Sequence, residues 1–230
     1  MLIDILTLFP AVFKNVFSAS IIKKATEKKL VDIQITNIRD FAIGKHKTVD
    51  DKPYGGGSGM ILMAEPIVKA IETIKNSKLK IKNCRTILLS PQGKVFNQQK
   101  AKELAKYQHL IFVCGHYGGV DERVLKFVDE ELSIGDYILT GGEIPAMVVV
   151  DAVVRLIPKV VAKSNSIKQD SHWSDGLTSS VYTRPYNFRN LKVPKVLLSG
   201  NHKKIMEWRK QSAIRNTLKK RPDLLKKRIK

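Results

Sequence analysis

The chain opens on an apolar run, Leu2 to Leu8, after which Phe13, Val16, Phe17, Ile21 and Ala25 recur every three or four residues. This pattern predicts a strand followed by an amphipathic helix. Val31 to Ile35 alternates apolar with polar positions and predicts a second strand. From Arg39 to Met60 periodicity is lost while Gly55, Gly56, Gly57 and Gly59 accumulate, which predicts a long loop. Between Ala64 and Ile74, Ile67, Ala70, Ile71 and Ile74 fall on one helical face. Thr86 to Leu89, Phe96 to Tyr107 and Leu110 to Val113 then repeat the order strand, helix, strand. Tyr137 to Leu139 reads as a further strand, and Glu143 to Leu156 as a helix with Pro145 in its first turn. Strands alternating with helices predict an α/β fold with a parallel sheet.

Beyond about residue 160 the pattern changes. Residues 162–180 are polar, with Ser164, Asn165, Ser166, Lys168, Gln169, Asp170, Ser171 and Ser174, and have little periodicity, so a flexible linker is expected there. Trp208 to Leu218 and Pro222 to Ile229 read as helices. The predicted organisation is a body over residues 1–161, a linker over 162–180 and a small helical domain over 181–230.

Charge separates these parts. The 230 residues carry 41 Lys and Arg against 21 Asp and Glu, net +20, and residues 201–230 alone hold 12 basic residues against Glu207 and Asp223. Such an excess goes beyond what solubility requires and points to a polyanionic partner. Charge by itself does not separate RNA, DNA and a membrane surface.

Other classes are disfavoured. Asp4 and Phe9-Pro10 interrupt any signal-peptide pattern. The longest apolar run, Ile144 to Val154, is broken by Pro145 and Asp151 and falls short of the ~18 residues of a membrane span. Cys84 and Cys114 have no His or Cys at ligand spacing, so neither a metal site nor a disulfide framework is expected. A soluble, cytoplasmic protein with reduced thiols is the expectation.

Three short loops each follow a predicted strand: Ser90-Pro91-Gln92-Gly93, Gly115-His116-Tyr117-Gly118-Gly119 and Thr140-Gly141-Gly142. In a parallel sheet such carboxyl-end loops converge on one crevice, where ligands bind. Glycine lets backbone approach a flat ligand closely. The sequence has no G-x-x-x-x-G-K-[ST] and no G-x-G-x-x-G joining a first strand to a helix, which disfavours a P-loop nucleotidase and a dinucleotide fold. The pocket is expected to hold an adenosine without a phosphate chain.

At this level the chain resembles a known family, the bacterial tRNA (guanine-N1)-methyltransferases called TrmD, from Leu2 to Leu225. The segments similar to family motifs are Arg39-Asp40-Phe41, His46 to Asp51, Pro53 to Gly57, Leu89 to Gly93, Asp121-Glu122-Arg123, Ser133 to Tyr137 and Gly141-Gly142-Glu143. The resemblance implies a SPOUT fold: a parallel sheet with a deep trefoil knot that binds S-adenosylmethionine, in a homodimer, with a small basic helical domain for tRNA. It implies that Leu89, Ser90, Pro91, Gln92, Gly115, Tyr117, Gly119, Ser133, Ile134, Gly135, Tyr137, Leu139, Gly141, Gly142 and Pro145 form the methyl-donor pocket. No DNA or membrane partner is implied. Relatives depend on magnesium, but no carboxylate cluster marks a site in this sequence, so a metal is expected to act with RNA or substrate.

The reaction implied is methylation of N1 of guanosine at position 37, beside the anticodon. N1 carries a proton and attacks poorly until it leaves, so a base is needed. Asp170 matches the family's aspartate; from the residues alone it also reads as a solvated linker carboxylate. Negative charge then builds on guanine O6, where a fixed cation stabilises the transition state more than the ground state. Arg155 matches the family's arginine for this task; from pattern alone it also reads as a charge ending an apolar helix, favourable with its macrodipole.

The chain departs from the family pattern at Gly118, where Glu is usual, so no acidic contact is carried over to that position, and His116 replaces the arginine of some relatives. RNA contacts are expected on Lys203, Lys204, Arg209, Lys210, Arg215, Lys219 and Lys220, with salt-sensitive affinity. Two rival readings are a SPOUT methyltransferase acting on ribosomal RNA and a basic RNA-binding chaperone without chemistry; donor binding separates the latter.

Overall fold

In a computed structural model that describes residues 1–78, 80–162, 167–174 and 176–226, the first part of the chain is organised by strands β1 (Leu2–Thr7), β2 (Asp32–Asn37), the two-residue β3 (Asp50–Asp51) and β4 (Ile61–Leu62), β5 (Cys84–Val95), β6 (His109–Cys114) and β7 (Glu130–Ser133). Five of them form one sheet in the order β2-β1-β6-β5-β7, every pair parallel. β3 and β4 pair antiparallel beside it. The helices are α1 (Lys14–Phe17), α2 (Ser20–Glu27), α3 (Ala64–Ser77), α4 (Gln98–Leu104) and α5 (Glu143–Val154).

Successive strand residues point to opposite faces of a sheet, and each face here has its own core. Ile3 and Ile5 of β1, Leu110 and Phe112 of β6 and Ile87 and Leu89 of β5 pack with α2, α4 and α5. Leu6, Ile111, Val113 and Leu88 pack with α3 through Ile67, Ala70, Ile71 and Ile74. Each such aliphatic side chain contributes about 1.5–3 kcal/mol by leaving water. With helices on both faces, β6 is buried along its whole length.

The chain divides into two compact units, Met1–Ala162 and Lys163–Lys230. The second is built on α6 (His202–Lys220) and α7 (Asp223–Lys226), with a hairpin of β8 (Asn187–Phe188) and β9 (Leu191–Lys192). Asn201 caps α6, its side chain accepting from the Lys204 amide at 3.1 Å. Within the stretch expected to be a linker, the amides of Leu177 and Ser180 donate to Thr217 Oγ1 and Ser212 Oγ on α6, at 3.0 and 3.1 Å. The Ile229 end of the last expected helix lies outside the described residues.

Several sequence expectations are corrected. The first helix is not continuous: a 3-10 turn over Pro10–Phe13 and α1 end before α2, and Ser20 sits at φ +52. That left-handed residue resets the phase, so Ile22 is buried while Ile21 is 40% exposed. Ser90 to Gly93 is not a loop after β5 but a bulge inside it. Leu89 and Lys94 both register against Leu132, and a Cβ on Gly93 would collide with the Leu132 backbone. Tyr137 to Leu139 is not a strand; the edge strand is β7, which the sequence pattern missed. Its charged Glu130 is paired with Arg85 at 3.1 Å and Lys100 at 2.6 Å.

At the amino-terminal end of the sheet a polar cluster forms around the buried Asp4 and His109. Asp4, 1% exposed, accepts from Lys78 Nζ at 2.7 and 3.0 Å and meets His109 Nε2 at 2.6 Å. His109 Nδ1 in turn stands 3.5 Å from Cys84 Sγ. The imidazole thus joins the carboxylate through Nε2 and the Cys84 thiol, whose pKa burial pushes up, through Nδ1.

Candidate functional site

The opposite, carboxyl-terminal end of the sheet holds a cleft of about 1430 Å³ within the first unit. Its floor is Leu88 and Leu89 of β5; its walls are the β5 bulge, the turns 115–119 and 133–142, and the start of α5. Leu89, Ser90, Pro91, Gln92, Gly115, Tyr117, Gly119, Ser133, Ile134, Gly135, Tyr137, Leu139, Gly141, Gly142 and Pro145 all line it. The fold therefore brings together in one cavity residues that lie up to 56 positions apart in the chain.

Local chemistry holds each wall. Ser133 Oγ accepts from the Gly135 amide at 3.1 Å and donates to its carbonyl at 3.0 Å. Tyr137 OH donates to Ile134 O at 3.3 Å and folds the ring over Gly135, where a Cβ would collide with it. The Gly142 amide donates to Gly115 O at 2.8 Å, joining two walls backbone to backbone. A Cβ at residue 142 would stand 2.7 Å from Cys114 Cα, so only glycine permits that approach. Beneath lies the Cys114 thiol, held well above its usual value by burial, with the Glu143 carboxylate adding to the effect.

The wall 116–119 is tied to the segment before α3. Gly118 donates to Met60 O at 2.9 Å, Leu62 to Gly119 O at 3.0 Å and Asp121 to Leu62 O at 2.9 Å. A Cβ on Gly118 would stand 3.0 Å from Met60 O, so the glycine admits this close contact. Tyr117 holds φ +58, a conformation non-glycine residues adopt at a cost of about 1–3 kcal/mol and one that clusters at functional sites. The far rim carries the charges, Asp51, Lys52, Asp121, Glu122 and Arg123. Two hydrogen bonds from Arg123, at 2.9 and 2.6 Å, hold the Asp121 carboxyl below the usual carboxylate range.

Behind the cleft, Glu143 is buried in the first turn of α5, where the helix dipole favours its charge. Thr7 Oγ1 donates to its Oε1 at 2.7 Å, and its Oε2 stands 3.7 Å from His116 Nδ1. That nitrogen is buried with no hydrogen-bond partner, at a cost of about 1–3 kcal/mol. The sequence named Glu143 within a motif and His116 within a loop but assigned neither a role: the two are 27 residues apart, and only the contact of the two walls reveals the pair. Also missed were Ile61 to Glu65 and Val68, which line the cleft because Leu62 pairs with Val120.

The two residues expected to do chemistry lie in different units. Arg155 is the C-cap of α5, its amide donating to Asp151 O at 3.3 Å, and is outside the cleft lining. Asp170 belongs to the second unit, where its carbonyl accepts from the Trp173 amide at 3.3 Å. It lines a second cleft of about 1160 Å³ with Tyr182, Tyr186, Arg209 and Lys210. Among the described residues no three His, Cys, Asp or Glu side chains could hold a metal ion together, and no helix is long and apolar enough to cross a membrane.

In a parallel α/β sheet, a cleft outside the strand carboxyl ends, lined by glycine backbone and apolar side chains, is where a small-molecule ligand binds. The model of the family described as tRNA (Guanine-1)-methyltransferase TrmD matches residues 1–227. The chain is 56% identical over 229 residues to the tRNA (guanine-N(1)-)-methyltransferase of Carboxydothermus hydrogenoformans, covering 99% of this chain and 88% of that protein. It is 53% identical over 225 residues to the protein of the same name from Dictyoglomus turgidum, covering 98% and 90%, and 54% identical over 227 residues to that of Shouchella clausii, covering 98% and 92%. The chain belongs to the TrmD family of tRNA (guanine-1)-methyltransferases and is an enzyme of that class.

Proposed function

We propose that the protein transfers a methyl group from S-adenosylmethionine to N1 of guanosine 37 in tRNA. The observation that carries this reading is the meeting, in one glycine-lined cleft, of every position at which the family resemblance implies donor contact. The fit is physical: at Gly135, Gly141 and Gly142 a side chain would have nowhere to go, so the walls present backbone, suited to a flat adenosine held without phosphate groups. S-adenosylmethionine supplies an electrophilic methyl on a sulfonium that departs as a neutral thioether.

The chain's own residues do the rest. Asp170 removes the N1 proton, and Arg155 stabilises the charge that then develops on O6. Proton removal by the carboxylate is coupled to stabilisation of the charge on O6, so the two operate together. The second unit supports tRNA as partner: residues 163–230 hold 18 Lys and Arg against 4 Asp and Glu. Exposed apolar side chains at Ile138, Ile144 and Val148, on and beside α5, support a homodimer, and one protomer's Asp170 would then serve the partner's donor cleft. A knotted path at the cleft and cytoplasmic action belong to the same reading. Magnesium does not fit a site among the described residues, and no step is assigned to it.

The test is Asp170→Asn and Arg155→Ala assayed for turnover and, by titration calorimetry, for donor affinity. Turnover should fall by about 10²–10⁴ in the first variant and 10²–10³ in the second, with the S-adenosylmethionine Kd unchanged within about threefold. Equal loss of donor binding would contradict these roles.

A further inference from the structure

We infer that Glu143, acting through His116, is a positioning residue for the methyl donor, an inference that rests on the reading of the cleft as the donor site. The pair stands where the two cleft walls are clamped. His116 and Gly141 form an antiparallel bridge, Gly142 is bonded to Gly115, and a Cβ on Gly141 would strike both Glu143 Oε2 and His116 Nδ1. The missing side chain at residue 141 is what lets carboxylate and imidazole face each other.

Each partner is prepared for the other. Glu143 has one oxygen engaged by Thr7, whose hydroxyl also accepts from the Phe9 amide at 2.9 Å, which leaves Oε2 directed at the imidazole. The His116 ring is held between Phe9 and Tyr117, each with its centroid 4.8 Å away. Its Nδ1 is buried, while the ring lines the cleft. At 3.7 Å the two atoms are less than 1 Å beyond hydrogen-bonding distance. Filling the cleft against the 115–119 wall closes this gap. The carboxylate then fixes His116 as the Nδ1–H tautomer and locks both walls around the donor.

The amide of Asn reaches where Nδ1 of His stands, whereas that of Gln reaches where Nε2 stands, so the two substitutions separate the roles of the nitrogens. In the full-length protein, His116→Asn should keep the S-adenosylmethionine Kd within about threefold, while His116→Gln and Glu143→Gln should raise it about tenfold or more, the loss of one charge-assisted hydrogen bond. In ¹⁵N spectra of histidine-labelled protein saturated with donor, the His116 ring should carry the Nδ1–H signature and lose it in Glu143→Gln. Equal weakening by Asn and Gln, or a ring signature indifferent to Glu143→Gln, overturns the inference while leaving the reading of the cleft intact. Failure of the unsubstituted protein to bind S-adenosylmethionine overturns both.

Discussion

Two histidines face buried carboxylates at opposite ends of the same sheet, and they differ in how complete the contact is. His109 meets Asp4 at 2.6 Å, with Lys78 on the same carboxylate and Cys84 on the second ring nitrogen. His116 stands 3.7 Å from Glu143 with its Nδ1 unpartnered, in a turn strained at Tyr117. The first pair is saturated and ties β1, β5, β6 and the end of α3 together. The second is incomplete and lies against the ligand cleft. An unmet polar demand beside a cavity is a mark of function, and a fully met one a mark of architecture.

The largest effect expected from breaking this contrast is on stability at the saturated end. Asp4→Ala removes the carboxylate, leaving Lys78 without its counter-charge and the buried His109 Nε2 without its partner, and should cost about 3–5 kcal/mol in denaturant unfolding. A loss below 1 kcal/mol would show that the cluster is only decorative. Glu143→Gln, by contrast, should cost about 1 kcal/mol or less, because Thr7 still finds an acceptor.

An intermediate effect is expected at the clamp. Gly142→Ala drives a methyl into the Cys114 and Gly115 backbone and should destabilise by about 1–3 kcal/mol, weakening donor binding in calorimetry. Unchanged donor affinity would mean that the walls do not act as a unit.

The smallest effect is at the rim. The Asp121 carboxyl is depressed in the folded protein by its hydrogen bonds from Arg123. Its stabilising contribution is thus complete above the ordinary aspartate value near 4 and is lost as pH falls through the lower folded value. Because Arg123 is exposed, Arg123→Ala should leave stability between pH 5 and 8 nearly unchanged. The small difference that remains should be constant above about pH 4 and vanish as pH falls below it, so that the acid unfolding curves of variant and parent converge there.

How much of this was legible in the sequence varied with what each residue answers to. α3 was readable because Ile67, Ala70, Ile71 and Ile74 answer only to the core. The glycine turns were readable because positive φ and close backbone approach demand that residue. Tyr137 to Leu139 misled because apolar side chains 55%, 79% and 37% exposed imitate a buried strand. β7 was hidden because its glutamates look like surface until Arg85 and Lys100 are brought to Glu130. The pairing of Glu143 with His116 has no local signature, since strand order alone brings those turns together.

Methyl transfer to N1 of a single guanine can be read by mass mapping of a tRNA transcript after incubation with the protein and S-adenosylmethionine. A single added methyl on the nucleotide at position 37, as N1-methylguanosine, and none when that guanine is replaced, is the predicted result. Methylation elsewhere in the tRNA, methylation only of ribosomal RNA, or no methyl transfer despite donor binding would contradict it.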